Sequence, residues 1–165
     1  MRNSQKLGQI NLGQILHAAR RLSAEEIEDV EKEHQQTGER VGDILLARGL
    51  ATEYELAAAL VSHLQLPYLS PRAYDIPEEV KRLLPAATLS AHQIVPLDRF
   101  ENVLLIATWG EIDPELIPEL ESLTQLKICF CVAQKSDIGY VLQEKFPQLD
   151  VGQEVTSRLD QLFGS

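Results

Sequence analysis

The side chains of this sequence that could do chemistry are a run of carboxylates, two histidines and two cysteines. The acidic segment EEIEDVEKE at 25–33 could supply catalytic acids, but its pattern favours a solvated helix face. His34 and His63 could form a metal-binding pair, although no carboxylate or third histidine lies at a diagnostic spacing. Cys129 and Cys131 have no further ligands for zinc, so we expect two reduced, packed thiols on the same face of a strand. No arrangement of serine, histidine and aspartate is visible, and the sequence predicts no enzyme.

The composition and the charge restrict the class of protein. A chain of 165 residues with 44% apolar content can form one or two small domains. Its net charge of -10 opposes nonspecific binding to DNA or RNA, so we expect no nucleic-acid partner. No apolar run approaches the roughly 20 residues of a membrane span. The polar start MRNSQK lacks the apolar core of a signal peptide. We therefore expect a cytoplasmic protein without direct membrane insertion.

A duplication organises the first part of the chain, because residues 12–34 recur as residues 41–63 at an offset of 29. Each copy has the pattern of a short helix, a turn and a longer helix. Two copies form a paired unit rather than a solenoid, since arrays usually need at least three repeats. The identical pairs are Gly13 with Gly42, Ile15 with Ile44, Leu16 with Leu45, Ala18 with Ala47, Glu26 with Glu55 and His34 with His63.

Capping residues mark where the longer helices begin and end. Ser23 with Glu26, and Thr52 with Glu55, form the pattern of a capping box, in which the hydroxyl and the carboxylate bond opposite backbone amides. Gly38 suits the left-handed position after the end of the first long helix. The sequence therefore predicts two helix pairs with well-defined boundaries.

The sequence divides into four parts: a duplicated helical subdomain at 1–66, a proline-rich connecting arm at 67–91, a small α/β subdomain at 92–148 and a tail at 149–165. We expect one short helix in the arm, at 77–83, beginning near Asp75 and Pro77. The α/β part is predicted to contain strands at 93–98, 103–108 and 126–133, a helix from 113 to 123, and a helix capped by Ser136 that ends at Phe146. In the tail, Val155, Leu159 and Leu162 share one face of a predicted helix. The predicted fold class is α+β, a duplicated helical subdomain followed by a small α/β subdomain with a mixed three-stranded sheet.

Trp109 and Gly110 follow the predicted strand at 103–108 directly. An exposed tryptophan is favoured at protein contacts, so this pair could form a docking spot. A tryptophan that covers the edge of the sheet is the other interpretation. Both stay open from the sequence alone.

The second copy carries eight residues of a characteristic pattern: Arg40, Val41, Gly42, Leu45, Gly49, Leu56, Leu60 and His63. This pattern resembles the 24-residue motif of the N-terminal domain of type II secretion and type IV pilus assembly ATPases, the GspE N-terminal or MshEN-like domain. In that family two copies stand five residues apart, as the copies at 11–34 and 40–63 do here. The segments LPYL, DIPEEVKRLLP, IVPLDR and LLIATWGEID also resemble the α/β half of the family. The resemblance therefore covers residues 11–146.

The resemblance implies an adaptor or sensor of a secretion or pilus machine rather than its motor. In the family, ATPase activity resides in a separate domain, and this sequence has no G-x-x-x-x-G-K-[ST] phosphate loop. We therefore expect no ATP hydrolysis and no cofactor. The implied partner is an inner-membrane assembly protein of a type II secretion or type IV pilus system, or its motor ATPase, at the inner face of the inner membrane. Met1 and the predicted tail helix are consistent with a free-standing relative, and a truncated domain is the other interpretation.

Some members of the family bind cyclic di-GMP, so the resemblance also implies a candidate ligand site. The residues at motif positions are Arg40, Val41, Gly42, Leu45, Gly49, Leu56, Leu60 and His63 in the second copy, and Asn11, Leu12, Gly13 and His34 in the first. In the second copy, Arg40 could pair with a phosphate or stack on guanine. The first copy departs from the motif at Asn11 for arginine, Arg20 for glycine and Glu31 for leucine, which makes it a poor half-site. Two functions stay open: docking of a partner, with these residues serving the fold, and reception of cyclic di-GMP.

Overall fold

The computed structural model describes residues 11–146, so the predicted tail helix with Val155, Leu159 and Leu162 lies outside the described residues. The repeats form α1 (Leu12–Ala18), α2 (Ala24–Thr37), α3 (Val41–Ala47) and α4 (Glu53–Leu64). Two short helices follow, α5 (Glu78–Lys81) and α6 (Ala86–His92). The remainder contains β1 (Val95–Phe100), β2 (Val103–Thr108), α7 (Leu116–Thr124), β3 (Lys127–Val132) and α8 (Lys135–Lys145). No helix in this described range is long and apolar enough to cross a membrane.

The long helices of both repeats begin where the sequence predicts. The Glu26 amide donates to the Ser23 hydroxyl at 3.2 Å, and the Ser23 amide donates to the Glu26 carboxylate at 2.8 Å. Thr52 and Glu55 form the same pair of bonds, at 3.2 and 3.0 Å. Gly38 ends α2 with a φ of 74°, in the left-handed region. Both capping boxes and the glycine end are confirmed.

The short helices α1 and α3 end in the same left-handed turn although their sequences differ there. Gly49 has a φ of 67° after α3, and Arg20, at the equivalent position after α1, has a φ of 56°. The amides of this residue and the next bond back to the helix, at 2.8 and 2.9 Å in the first copy and 3.1 and 3.0 Å in the second. This is the Schellman arrangement. Arg20 therefore carries backbone strain that Gly49 avoids, because a β-carbon disfavours this conformation.

The two repeats share one core and exchange charged contacts. Their fully or nearly fully buried side chains include Leu12, Leu16, Leu22, Val30, Val41, Ile44, Leu45, Leu56 and Leu60. Arg21 pairs with Glu55 at 3.1 Å, and Arg48 pairs with Glu33. Each arginine follows a short helix, and each glutamate lies on the long helix of the other copy. The copies are thus joined reciprocally into one helical unit.

The sheet has the predicted mixed topology. β2 lies in the centre, antiparallel to β1 and parallel to β3. The arm extends the β3 side, since the Leu69 amide donates to the Val132 carbonyl at 3.0 Å and the Val132 amide donates to the Pro67 carbonyl at 2.9 Å. α7 packs on β3, α8 packs on β1 and β2, and α4 contacts β3. The α+β class with a mixed three-stranded sheet is confirmed.

Within residues 11–146, α6 is a helix that the sequence pattern does not predict. Leu89 is its one buried residue, so no periodic apolar stripe marks it. Gln93, expected near the start of the first strand, instead has a φ of 52° and ends α6. The Ile94 amide bonds back to the Leu89 carbonyl at 3.1 Å. β1 therefore begins at Val95 rather than at residue 93.

Three predicted helix starts are wrong in detail. α7 begins at Leu116, with Glu115 as its N-cap residue, rather than at residue 113. Pro77 occupies the N-cap position of α5 without a side-chain cap, and the helix covers 78–81 rather than 77–83. α8 begins at Lys135, so Ser136 lies inside its first turn and does not cap it. The Ser136 hydroxyl donates instead to the Glu53 carboxylate at 2.7 Å. A contact distant in sequence has taken the place of the local one.

The two cysteines of β3 differ in environment. The strand pairs regularly with β2, so alternation places Cys129 and Cys131 on one face. Cys131 is buried, and burial raises the pKa of its thiol to about 12. Cys129 is exposed, because that part of the face is uncovered. The expectation of two packed thiols is therefore wrong for Cys129.

Candidate functional site

Three of the residues at motif positions, Leu12, Arg40 and Gly42, lie on a seam between the helical repeats and the α/β half of the molecule. This seam is the surface where α1, α3 and the start of α4 meet residues 91–92, 109–111 and 135–136. It is built from both repeats, since each short helix directs its N-terminal end toward the α/β half. The seam is therefore the place to ask whether the motif residues are free to bind a ligand.

Arg40 is engaged within the chain. It is the N-cap residue of α3, and its guanidinium donates to the carbonyl of Ala91 at 2.8 Å and to that of His92 at 3.3 Å. These carbonyls belong to the C-terminal end of α6, where helix geometry leaves acceptors unpaired and the dipole favours a cation. The side chain that could have paired with a phosphate thus stabilises the end of a neighbouring helix.

Gly42 allows a close approach, but the group that approaches is Trp109. A β-carbon at Gly42 would lie 2.7 Å from Cζ3 of the indole. Trp109 is 3% exposed, so the interpretation of a surface docking spot is wrong. Its Nε1 has no hydrogen-bond partner among residues 11–146. The glycine at this motif position is required for packing between α3 and the end of β2.

The departures of the first copy from the motif form contacts of their own. The Asn11 side chain accepts from the Gln14 amide at 3.1 Å and caps α1. Its amide nitrogen donates to the half-buried Glu31 carboxylate, also at 3.1 Å. The two polar residues that replace arginine and leucine are therefore hydrogen-bonded to each other.

A carboxylate from the α/β half occupies the N-terminal end of α1. The Leu12 amide donates to Glu111 Oε1 at 2.9 Å. Burial raises the pKa of Glu111 above its ordinary value, while the bond from Leu12 and the nearby His34 act in the opposite direction. A free amide at this helix end would suit an anionic ligand, but here the protein supplies the anion itself.

The remaining motif residues divide into core and surface. Val41, Leu45, Leu56, Leu60, Leu12 and Gly13 are buried. Gly49 ends α3 in the left-handed conformation described above. His34 and His63 are exposed, and Nδ1 of His34 lies 2.5 Å from the carbonyl oxygen of Glu39. In the described part of the chain, no group of three or more histidine, cysteine, aspartate or glutamate residues could hold a metal ion.

Further seam contacts involve residues that sequence reasoning missed. Lys135 pairs with Asp43, with 2.5 Å between Nζ and Oδ1, and its ammonium lies 5.3 Å from the centroid of the Trp109 ring. Ser136 bonds Glu53 across the same seam. These partners are 92 and 83 positions apart in the chain, so no local pattern could have indicated them.

An open cleft of about 820 Å³ lies beside these contacts. Its lining includes Glu39, Asp43, Glu53, Lys135 and Ser136. Three carboxylates therefore face one ammonium group. The cleft could not be predicted from the sequence either, because its walls come from elements that are far apart in the chain.

The chain is similar over most of its length to a type IV pilus assembly ATPase. The Type IV pilus assembly ATPase PilB of Thermus thermophilus is 28% identical over 145 residues. The aligned region covers 87% of this chain and 16% of that ATPase. The chain thus spans a small part of the relative.

Two solved structures share the fold. The structure of MshE with cdg has a TM-score of 0.67 at 21% sequence identity, and the match covers 81% of this chain and 97% of that chain. The structure of the N-terminal domain of XpsE has a TM-score of 0.63 at 22% identity, covering 80% of this chain and 91% of that chain. At these identities the likeness establishes the fold alone.

A match to a protein family identifies the second half of the chain. The MshEN domain family matches residues 64–151, which include the arm, the sheet and α8, while the repeats at 11–34 and 40–63 precede the matched region. The matched range amounts to 88 of the 165 residues. The resemblance to the N-terminal domains of secretion and pilus ATPases is thereby confirmed, and the chain belongs to the MshEN domain family.

Proposed function

We propose that the chain is a noncatalytic docking domain of type II secretion or type IV pilus machinery. It would act in the cytoplasm, at the inner face of the inner membrane, by contact with an inner-membrane assembly protein or with a motor ATPase. The observation that carries this proposal is the internal use of the polar motif groups. Arg40 is bound to the end of α6, and the Leu12 amide is bound to Glu111.

The seam supports docking because it makes the two halves one preorganised body. Polar contacts from α1, α3 and α4 all cross it, and the Trp109 ring packs on Gly42 at its centre. A preformed surface loses little conformational entropy when a partner binds. Relatives of this family include ATPases of pilus assembly, which supplies the class of machine.

A pull-down from the bacterium that encodes the chain tests this function. The purified chain is expected to recover a secretion or pilus ATPase, or an inner-membrane assembly protein, identified by mass spectrometry. An unrelated acidic domain of equal net charge serves as the control bait. Recovery of no such component, or equal recovery by the control, would contradict the docking function.

A receptor for cyclic di-GMP is the second candidate, and one observation favours it. MshE, which shares this fold, has been solved with cdg. The second copy retains Arg40, Gly42 and Gly49 at the motif positions. For Arg40 to reach a ligand, however, its guanidinium would have to leave the carbonyls of Ala91 and His92. Binding would therefore have to offset the loss of these contacts.

Calorimetry with cyclic di-GMP distinguishes the two candidates. The wild type, Arg40→Ala and a matched control, Arg82→Ala, are titrated under identical conditions. Arg82 is an exposed arginine outside the repeats. A receptor predicts heat for the wild type and for Arg82→Ala, and a large loss for Arg40→Ala. Absence of heat at high micromolar ligand contradicts the receptor, while equal binding by all three contradicts a site at Arg40.

A further inference from the structure

Two exposed tyrosines lie close to the first turns of α8. Tyr68, in the arm, is 43% exposed, and Tyr140, on α8, is 44% exposed. Arg72 packs against this helix, since its guanidinium lies 4.1 Å from the centroid of the Tyr140 ring and pairs with Asp137 at 2.6 Å. We call the set Tyr68, Arg72, Asp137 and Tyr140 the tyrosine surface. Tyrosine and arginine are the residues most enriched in protein interfaces, together with tryptophan.

The tyrosine surface adjoins the acidic cleft. Burial raises the pKa of the Tyr68 phenol, and the nearby carboxylates of Asp137 and Glu53 raise it further. Glu53 also lines the cleft, together with Ser136 and Gly139 of α8. The same helix therefore forms one wall of the cleft and carries Tyr140 on the adjoining surface. The two features make one continuous face.

The charges of this face are not balanced. Lys135 pairs with Asp43, and Arg72 pairs with Asp137. Among residues 11–146, no ion pair neutralises Glu39 or Glu53 in the cleft. Two carboxylates are thus left to attract a cation. The exposed rings of Tyr68 and Tyr140 offer further contact area, with Arg72 already lying over one face of Tyr140.

We infer that the cleft and the tyrosine surface together bind a basic peptide segment of a partner protein. A lysine or arginine side chain of that segment enters the cleft beside Glu39 and Glu53, and the residues next to it lie against Tyr68 and Tyr140. The inference rests on the proposed docking function, for which it supplies the surface. An acidic segment would be repelled by the same two carboxylates.

Trp109 provides the measurement, because it is the one tryptophan of the sequence and lies beneath Lys135 at the side of the cleft. The full chain is titrated with an acetylated, amidated peptide of alternating lysine and serine, and separately with a glutamate and serine peptide of equal length. We expect a saturable change in Trp109 fluorescence with the lysine peptide, weakened by salt, and none with the glutamate peptide. Absence of saturable binding of the lysine peptide overturns the inference, as does equal binding of both.

Matched variants separate a site from general attraction to an acidic chain. Glu39→Lys is compared with Glu28→Lys, which makes the same charge change on the exposed face of α2. Tyr140→Ala is compared with Phe100→Ala, since Phe100 is 57% exposed at the far end of the sheet from Val132. We expect Glu39→Lys and Tyr140→Ala to weaken binding at least about fivefold, the effect of losing one important interface residue. Equal weakening by Glu28→Lys, or no effect of the two test variants, overturns the site.

The same variants distinguish failure of this surface from failure of the docking function. If the wild type recovers a secretion or pilus component and both test variants recover it equally well, the docking function stands and this surface is not the site. If the wild type recovers none, the docking function fails, whatever the peptide titration gives. Circular dichroism of each variant checks that the fold is retained.

Discussion

The indole of Trp109 fills the space that a side chain on Gly42 would need. A β-carbon on Gly42 would lie 2.7 Å from Cζ3 and 3.1 Å from Cη2 of the ring. The ring has little freedom to withdraw, because it is buried and Lys135 lies over it. This contact joins the second repeat to the end of β2, and it gives the glycine a role in packing.

Gly42→Ala should therefore destabilise the fold. The added methyl group must displace the ring or the helix, and overpacking of this kind costs about 1–3 kcal/mol. The measurement is urea unfolding followed by Trp109 fluorescence. Gly13→Ala is the control, since Gly13 holds the equivalent helix position with its nearest contact at 3.3 Å. The gain in helix propensity is common to both variants, so equal changes in the free energy of unfolding would contradict the clash.

The left-handed residues after α1 and α3 give a second matched pair. Arg20→Gly should raise the free energy of unfolding by up to about 1 kcal/mol, because glycine removes the strain and loses part of the gain to the entropy of the unfolded chain. Gly49→Ala should lower the free energy of unfolding by about 1 kcal/mol, because alanine disfavours the left-handed backbone at this position. No clash adds to this cost, since no atom lies within 4 Å of the new β-carbon. Thermal unfolding measures both. Changes of the opposite signs would show that backbone strain does not decide stability here.

Glu111 should make stability fall as the pH rises. Its pKa is raised in the folded chain, mainly by burial, above the ordinary value of 4.5. Between these two values the folded state binds more protons than the unfolded state, so the free energy of unfolding decreases with pH across this window. Glu111→Gln keeps an acceptor for the Leu12 amide and does not titrate. The free energy of unfolding is measured by urea unfolding for both proteins from about pH 4 to pH 7. Relative to the variant, the wild type should therefore become less stable as the pH rises. A constant difference would contradict the raised pKa.

The two cysteines should react at very different rates. Cys129 is exposed, whereas Cys131 is buried with a pKa of about 12, so its thiolate is scarce at neutral pH. In the native protein we expect one thiol to react rapidly with a disulfide reagent and the second only after unfolding. Cys129→Ser should abolish the rapid phase, and Cys131→Ser should leave it intact. Two rapid thiols in the wild type would contradict the burial of Cys131.

The parts of the fold that the sequence predicted are those with local signals. A capping box needs residues three positions apart, and both boxes, at Ser23 and Thr52, are present in the structure. The predicted strand at 103–108 and the observed strand have the same limits, because a continuous apolar run defines them. α6 escaped prediction because Leu89 is its single buried residue.

The candidate site depends on contacts between residues that are far apart in the chain, which no local sequence pattern indicates. Gly42 stands at a motif position, but the ring that packs against it belongs to Trp109, 67 positions further along the chain. The hydrogen bonds from Arg40 to the end of α6 could not be predicted either, because no sequence pattern indicates that α6 exists. The contacts that these motif residues make within the chain are therefore visible only in the tertiary structure.

The hydrogen bond between Asn11 and Glu31 links two positions at which the first copy departs from the motif. Without the Asn11 donor, the half-buried carboxylate of Glu31 would lose this hydrogen bond. Unpaired polar groups of that kind destabilise the folded state. Leucine at position 31 alone would remove the carboxylate and leave the Asn11 amide nitrogen without this acceptor. The two departures of the first copy from the motif are therefore coupled, so that a change at either residue alters the hydrogen bonding of the other.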